Sequence, residues 1–266
     1  MNIDPLILKQ VDKYDHPLIF ASLSGAHLYG FPSPDSDFDI RGTHVLPLSN
    51  IVGMNIGPET IDRTDIIGGL EIDVVTHDFG MFCHLLLKKN GNILEQIYSP
   101  HVLQTSAEHD ELRTIAKSCI TRHHVHHYAG FADSQWRQIS KQPQVKPKTL
   151  LYLYRVLLTG IHMMKTGHVE ANLLVLNENA KLPYINELVE QKIAGPEKGT
   201  IEAANMEFHA SEYARLSNAL KQASADSQLP EHPTGSAAIN DLLVRVRLTR
   251  ASPNAVKGFL SGKTLR

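Results

Sequence analysis

Two carboxylates in the N-terminal part of the chain, Asp37 and Asp39, have the spacing of a metal-binding pair. The apolar residues around them indicate a strand, and side chains two residues apart in a strand project from the same face. Neighbouring carboxylates repel each other unless they share a proton, meet a cationic side chain or bind a hard cation. Mg²⁺ fits best, because proteins hold it with one or two carboxylates together with substrate phosphates.

A glycine-containing turn, Ser24 to Gly30, precedes this pair. The short apolar run 18–23 predicts a strand that leads into the turn, and the turn opens onto a helix. Backbone N–H groups at a helix start are unsatisfied and carry partial positive charge, which suits phosphate oxygens. Gly25 would let the backbone approach a ligand closely. The turn and the carboxylate pair together predict a site for a metal and a triphosphate.

A third carboxylate, Asp73, follows in the run 61–76. Gly68 and Gly69 separate two strand-like segments and predict a hairpin turn. Asp73 is central in the second strand and is the better candidate for the site, whereas Glu71 lies near the turn and is the alternative. The competing interpretation is that Asp73 is an ordinary solvent-facing strand residue.

A cationic stripe is predicted further along the chain, where Lys148, Tyr152 and Arg155 fall at i, i+4 and i+7 on one helical face. Such a stripe suits a triphosphate, and a solvated polar face explains the pattern equally well. Asn92 is predicted to cap a helix rather than to bind a ligand, with Glu95 as a further candidate for the border of the site. The histidines at 123–127 have metal-ligand spacing but no third ligand nearby, which disfavours a zinc site.

Composition agrees with a cytoplasmic protein. The 266 residues carry a formal net charge of -2 at pH 7, and the pI is about 6.7, so the chain as a whole has no basic signature for nucleic acid. Cys83 and Cys119 form no ligand motif and are predicted to be buried thiols. No apolar run approaches the ~20 residues that span a bilayer, and the N-terminus lacks the pattern of a signal peptide.

The periodicity predicts an α+β fold, in which a small mixed sheet with flanking helices is followed by a helical part. Strand signals nearly vanish beyond residue 100, so we predict a catalytic domain over 1–105 and a helical domain over 106–266 that closes the nucleotide cleft. The predicted elements are a helix from Asp4 to about Lys13, strands at 18–23 and 38–46, the 61–76 hairpin, a helix from the Asp78 cap to near Gly91, a helix-permissive stretch at 107–128, and helices at 148–164, 185–193, 201–223 and 237–250.

The order Gly-x-His-x-Tyr-Gly, Ser-Asp-x-Asp and Arg-Gly resembles the DNA polymerase beta-like nucleotidyltransferase superfamily, and within it the predicted nucleotidyltransferase branch of bacteria and phages. The resemblance is close over residues 20–42 and weaker through Asp73, 92–100 and 127–132. It implies that Asp37 and Asp39 bind two Mg²⁺ ions, with Mn²⁺ as an alternative ion, and that Asp73 is the third carboxylate, which activates an attacking hydroxyl.

The resemblance also implies a nucleotide-binding set. Its members come from the glycine turn, the loop after it and the cationic stripe: Ser24, Gly25, Ala26, His27, Ser36, Lys148, Tyr152 and Arg155. The chain departs from the family at Ala26, where a serine is expected. The missing hydroxyl predicts weaker binding or an altered substrate, unless Ser24 or Ser36 replaces it.

The expected activity is Mg²⁺-dependent transfer of a nucleoside monophosphate from an NTP, ATP among the candidates, to a hydroxyl with release of pyrophosphate. Two cations would lower the pKa of the hydroxyl and neutralise the leaving group. The acceptor is an RNA end, a protein side chain or a small molecule, and the occurrence of branch members beside RNA ligases favours RNA. Two alternatives are a nucleotide-binding regulator without turnover and a metal-dependent phosphodiesterase or nuclease. The oligomeric state has no signature in the sequence.

Overall fold

A five-stranded mixed sheet carries the predicted site residues Asp39 and Asp73. The computed structural model describes residues 5–12, 14–54, 56–194 and 203–250. The strand order is β3-β4-β2-β1-β5, with β2 and β4 parallel and the other neighbours antiparallel. The strands are β1 (Leu18–Leu23), β2 (Phe38–His44), β3 (Thr60–Ile67), β4 (Leu70–Asp78) and β5 (Val102–Gln104).

Helices flank the sheet and make up the described chain beyond it, apart from turns and loops. They are α1 (Pro5–Asp12), α2 (Gly25–Tyr29), α3 (Ser49–Val52), α4 (Phe79–Leu87), α5 (Gly91–Ile97), α6 (Ala107–Ala116), α7 (Val125–Ile139), α8 (Pro147–Thr166), α9 (Leu173–Ala180), α10 (Pro183–Ile193), α11 (Ala203–Ala225) and α12 (Ser236–Arg250), with short 3₁₀ turns at Lys117–Cys119 and Arg122–His124. This arrangement confirms the predicted α+β class.

The predicted hairpin is confirmed, and its turn has a simple cause. Gly68 and Gly69 adopt φ values of 60° and 83°, which a two-residue hairpin turn requires and which residues with a Cβ rarely adopt. Along β4, Ile72 and Val74 are buried while Asp73 between them is only partly so. The alternation therefore places Asp73 on the face of the sheet opposite these two apolar side chains.

Two apolar clusters fix the sheet, one on each face. The smaller cluster joins α1 to the sheet through Ile7, Val11, Ile40, Ile72 and Val74. The larger cluster extends from β1 through α4 to α8, and it contains strand and helix residues together, such as Phe20, Phe79, Tyr128, Tyr154 and Leu157. Because the helical part shares this cluster with the sheet, α8 is held in place over the site. The boundary between 105 and 106 stays a prediction.

Helix α8 is the centre of the helical part. Proline at its first turn already has the backbone angle of a helix, and Gly167, with a φ of 72°, ends it in a left-handed conformation. Helices α7, α9, α10 and α11 pack against it. The predicted helix at 148–164 is thus confirmed within two residues of each end.

Several predicted elements differ from the structure. The 107–128 stretch is not one helix, because α6 ends at Ala116 and α7 begins only at Val125. Asn92 does not cap α5; Asn90 does, by accepting from the Asn92 backbone N–H at 3.0 Å. Gly91 begins that helix, whereas α4 ends at Leu87, and Asp78 caps α4 as predicted. The predicted ends at Asp4, Lys13 and 201 lie outside the described residues.

Both cysteines are buried and free, as predicted. Burial raises the pKa of the Cys83 thiol to about 12 and that of Cys119 to about 11. Across the described ranges, no helix is long and apolar enough to cross a membrane.

Candidate active site

The parallel pairing of β2 with β4 brings two of the predicted carboxylates together. Asp39 is the register partner of Asp73, so the two side chains lie beside each other on one face of the sheet. The guanidinium of Arg41 links them, because Nη2 donates to Asp39 Oδ1 at 2.6 Å and to Asp73 Oδ2 at 2.9 Å. The second oxygen of Asp73 accepts from Thr64 Oγ1 at 3.1 Å. Residues separated along the chain thus form one acidic centre.

The glycine turn packs directly on this centre. Gly25 has a φ of 58°, and a Cβ at this position would overlap Asp39 Oδ2. The Ser24 backbone N–H donates to the Asp39 carbonyl at 2.8 Å. Only glycine combines this backbone conformation with so close an approach to a carboxylate. The sequence motif therefore has a structural basis: the turn and the carboxylate form one unit.

The environment of Asp39 disfavours its charge. Burial raises its pKa; Arg41 opposes that shift, while Asp37 and Asp73 add to it. Asp37 immediately precedes β2 and is therefore close enough to act electrostatically on Asp39. A carboxylate in such surroundings gains by meeting additional positive charge.

An inner cavity of about 230 Å³ opens beside Asp39. Its lining comes from the glycine turn, β2, α5 and α8: Ser24, Gly25, Tyr29, Asp39, Arg41, Asn92, Glu95, Gln96 and Tyr152. This lining includes the predicted Ser24, Gly25 and Tyr152, and it places Glu95 at the border of the site.

An outer cavity of about 380 Å³ lies on the side of Asp37. It is formed by the loop before β2, the start of β4, the start of α8 and the end of α10: Ser33, Asp35, Ser36, Asp37, Glu71, Lys146, Pro147, Lys148, Gln191 and Lys192. The predicted Ser36 and Lys148 are part of it. Glu71, the alternative to Asp73, lines this cavity rather than pairing with Asp39.

Lys146 and Lys192 are outer-cavity residues that sequence reasoning missed. Lys192 Nζ donates to Ser33 Oγ at 2.8 Å and to Ser36 Oγ at 3.3 Å, so the end of α10 holds the loop that leads to Asp37. Burial and the neighbouring Lys148 lower the pKa of Lys192. The spacing in the sequence could not reveal this contact, since it joins segments far apart in the chain.

Arg155 does not lie where the prediction put it. Its guanidinium is buried and donates to both oxygens of Glu95, at 2.8 and 2.9 Å, and it stacks over the ring of Tyr29 at 4.0 Å. Neither cavity is lined by Arg155. The side chain is committed to an internal carboxylate, and we therefore leave it out of the phosphate-binding set.

Two residues of the turn also face away from the cavities. The side chain of Ala26 is 1% exposed and packs in the larger apolar cluster. The ring of His27 stacks on Phe38, with centroids 4.3 Å apart, and burial lowers its pKa. Ala26 points into the core, so Ser24 and Tyr29 are the hydroxyl-bearing residues of this turn that line the inner cavity.

The acidic centre suits a divalent cation in its chemistry. In the part of the chain that the structure describes, no group of three His, Cys, Asp or Glu residues is already gathered as a metal site. Even so, Asp39 and Asp73 present neighbouring carboxylate oxygens, and a positive group already bridges them. Oxygen donors of this kind are those that Mg²⁺ and Mn²⁺ prefer.

Comparisons with known proteins give the family. A family model described as RlaP, the RNA repair pathway DNA polymerase beta family, matches residues 6–245. The uncharacterized protein MJ0002 of Methanocaldococcus jannaschii is 35% identical over 158 residues, which are 58% of this chain and 63% of that protein, so the match spans less than two thirds of its length. The uncharacterized protein YcgL of Bacillus subtilis is 25% identical over 235 residues, covering 83% of this chain and 88% of that protein.

The family match covers the glycine turn, β2 and β4 as well as most of the helical part. It agrees with the resemblance found in residues 20–42 and with the neighbouring positions of Asp39 and Asp73. The chain therefore belongs to the RNA repair pathway DNA polymerase beta family, a family of polymerase beta-like nucleotidyltransferases.

Proposed function

We propose that the protein is a Mg²⁺-dependent nucleotidyltransferase that transfers a nucleoside monophosphate from an NTP to a hydroxyl and releases pyrophosphate. The observation that carries this proposal is the register of the parallel strands, which sets Asp39 against Asp73 beside the glycine turn. The family match supports the same reaction class.

The acidic residues would hold the metal. Asp37, Asp39 and Asp73 are the proposed ligands, with Mn²⁺ as an alternative to Mg²⁺. When bound, the metal supplies Lewis acidity that favours ionisation of the attacking hydroxyl and neutralises the leaving group. Asp73 is the proposed acceptor of the proton from that hydroxyl, since one of its oxygens is oriented by Thr64 and the other by Arg41.

The outer cavity is the proposed place of the triphosphate. Lys146, Lys148 and Lys192 bring three ammonium groups to it, and none of the ion pairs found among the described residues involves them. Cations outside those ion pairs, beside serine hydroxyls and the first turn of α8, are suited to phosphate oxygens. The inner cavity, with Ser24 and Tyr152, is left for another part of the substrates.

RNA is the proposed acceptor. The description of the family names RNA repair, and this is consistent with a hydroxyl at an RNA end. A protein side chain or a small molecule would use the same acidic centre, so the acceptor has to be identified by experiment.

A transfer assay tests the proposal. Each of the four NTPs, labelled at the α-phosphate, is incubated with Mg²⁺, total RNA and total protein, in the presence of wild type or Asp39→Asn. Label should enter RNA with wild type and be lost with Asp39→Asn, whereas Asp241→Asn, a surface substitution in α12, should behave as wild type. Equal labelling by wild type and Asp39→Asn would refute the mechanism.

Two control reactions separate the alternatives. Cleavage of RNA without any NTP would indicate a phosphodiesterase or nuclease. Binding of an NTP in calorimetry, without transfer to RNA or protein, would indicate a regulator.

A further inference from the structure

Arg41 occupies the position between the two facing carboxylates. Its Nη2 reaches one oxygen of Asp39 and one of Asp73, while Nη1 donates to the carbonyls of Ile40 and Asp73 at 3.0 Å each. The two backbone contacts fix the guanidinium on the strands. Arg41 is therefore part of the centre and not a mobile surface side chain that happens to lie nearby.

The oxygens that Arg41 takes are those that a bridging cation would need. Asp39 Oδ1 and Asp73 Oδ2 accept from the same nitrogen, so both oxygens face the position that Arg41 Nη2 occupies. Asp39 Oδ2 faces Gly25, and Asp73 Oδ1 accepts from Thr64. A divalent cation and a guanidinium at this position would repel each other strongly, because both would be only partly exposed to water.

We propose that Arg41 is a resident counter-ion that keeps metal affinity low until a nucleotide binds. This inference rests on the proposed function and adds the order of binding to it. With the site empty, Arg41 neutralises one of the facing carboxylates and keeps the pair together. Asp39 and Asp73 would hold a cation together only when the guanidinium releases at least one of them.

The triphosphate is the group that permits this release. The reacting phosphate has to lie at the acidic centre, where its oxygens would be acceptors for the freed guanidinium and ligands for the metal as well. A nucleotide therefore favours metal binding in two ways, by accepting from Arg41 and by binding the metal. A metal without a nucleotide has to compete with Arg41. Metal and nucleotide are expected to bind cooperatively, and the coupling is reciprocal.

Mn²⁺ binding measured by electron paramagnetic resonance tests this inference without any turnover. The full chain is titrated with Mn²⁺ in the absence of nucleotide, as wild type, Arg41→Gln and Arg41→Lys. We expect Arg41→Gln to bind Mn²⁺ at least about tenfold more tightly than wild type, since the competing charge is gone. Arg41→Lys keeps the charge and should stay near the wild-type affinity. Arg245→Gln, which removes an exposed arginine paired with Glu111 and Asp241, is the matched control.

A second measurement uses wild type alone and does not depend on the folding of a variant. Its Mn²⁺ affinity is measured again with saturating α,β-methylene analogues of the four NTPs, after correction for Mn²⁺ bound to free analogue. The inference predicts a rise of at least about tenfold with the analogue that binds. Unchanged affinity in this experiment, or Arg41→Gln binding Mn²⁺ no better than wild type, would overturn it.

The outcomes distinguish this inference from the proposed function. If wild type transfers nucleotide and binds Mn²⁺ as tightly as Arg41→Gln does, only the role of Arg41 is wrong. If neither protein binds Mn²⁺, with or without analogue, and neither transfers nucleotide, the metal-dependent function itself fails. The double variant Arg41→Gln/Asp39→Asn should lose the gained affinity, which would locate the ion at Asp39.

Discussion

Two arginine–carboxylate clusters contact the glycine turn, and they differ in their access to solvent. Arg41 bridges Asp39 and Asp73, and the side chains of these three residues are 22%, 17% and 27% exposed. Arg155 pairs with Glu95 at 3% and 2%. The chemical groups are the same, but the first cluster is partly accessible to solvent and the second is buried.

The buried cluster holds the site together. Glu95 of α5 accepts from Arg155 of α8, and the hydroxyls of Tyr29 and Tyr128 also donate to it, at 3.5 and 3.4 Å. Burial raises the pKa of Glu95, and Arg155 opposes this shift. Because Tyr29 belongs to α2, the cluster connects the helical part to the glycine turn. Exposure, more than residue type, distinguishes the Arg41 cluster at the acidic centre from the buried Arg155–Glu95 cluster.

The largest expected effect, on nucleotide transfer, comes from removing one charge of the partly exposed cluster of Arg41, Asp39 and Asp73. Asp39→Asn should reduce nucleotide transfer by roughly 10³-fold or more, since metal-based charge stabilisation is worth several kcal/mol. The rate of label transfer, with circular dichroism as a test of folding, measures this effect. Asp241→Asn is the control, and a loss below about tenfold would show that Asp39 is not a metal ligand.

Removing one partner of the buried Arg155–Glu95 cluster should lower the stability of the protein more directly than it lowers nucleotide transfer. Arg155→Met leaves Glu95 buried without its counter-ion, at an expected cost of about 3–5 kcal/mol in the free energy of unfolding. Urea denaturation measures it. The double variant Glu95→Leu/Arg155→Met removes both charges and should recover most of the loss. A single variant as stable as wild type would mean that the ion pair does not organise the core.

The lysines of the outer cavity should affect binding more than turnover. Lys192→Ala removes a charged donor and is expected to raise the KM for the NTP about tenfold, with little change in kcat, because a charge-assisted hydrogen bond contributes about 1.5–3 kcal/mol. Lys221→Ala, an exposed lysine of α11, is the control. A fall in kcat alone would place Lys192 in the chemical step instead.

The smallest expected effect is on the pH dependence of thermal stability. Since the pKa of Asp39 is raised in the folded state, the folded protein binds more protons at this site than the unfolded chain, and stability is lost as the pH rises through that pKa. Asp39→Asn should therefore have a slightly higher Tm than wild type at pH 7 to 8, and the difference should disappear on acidification below the ordinary range of aspartate. Thermal melts without metal test this, and a lower Tm for the variant at pH 8 would contradict it.

The sequence predicted the local features of the site well. The strand 18–23, the hairpin glycines and the Asp78 cap follow from short-range chemistry, and the structure confirms each of them. The neighbouring positions of Asp39 and Asp73 also agree with the family resemblance. The signals for the strand, the hairpin turn and the helix cap each lie within a few residues of one another.

Features set by long-range contacts were not predictable in the same way. Arg155 lies on the expected helix but faces Glu95, because the burial of a side chain depends on what packs over it. Lys192 reaches the loop before β2 from the far end of α10. The strand β5 has only three residues, Val102–Gln104, and its pairing with β1 rather than its own pattern makes it a strand.

The parallel register of β2 and β4 makes the acidic centre depend on residues on the opposite face of the sheet. Ile72 and Val74 anchor β4 in the small cluster beneath the sheet, and a shift of one residue would exchange Asp73 for one of these apolar neighbours. Apolar contacts with α1 thus determine which carboxylates face each other on the opposite face of the sheet. Substitutions of buried residues under the sheet can therefore disrupt the pairing of Asp39 with Asp73 while every polar residue of the cleft is unchanged.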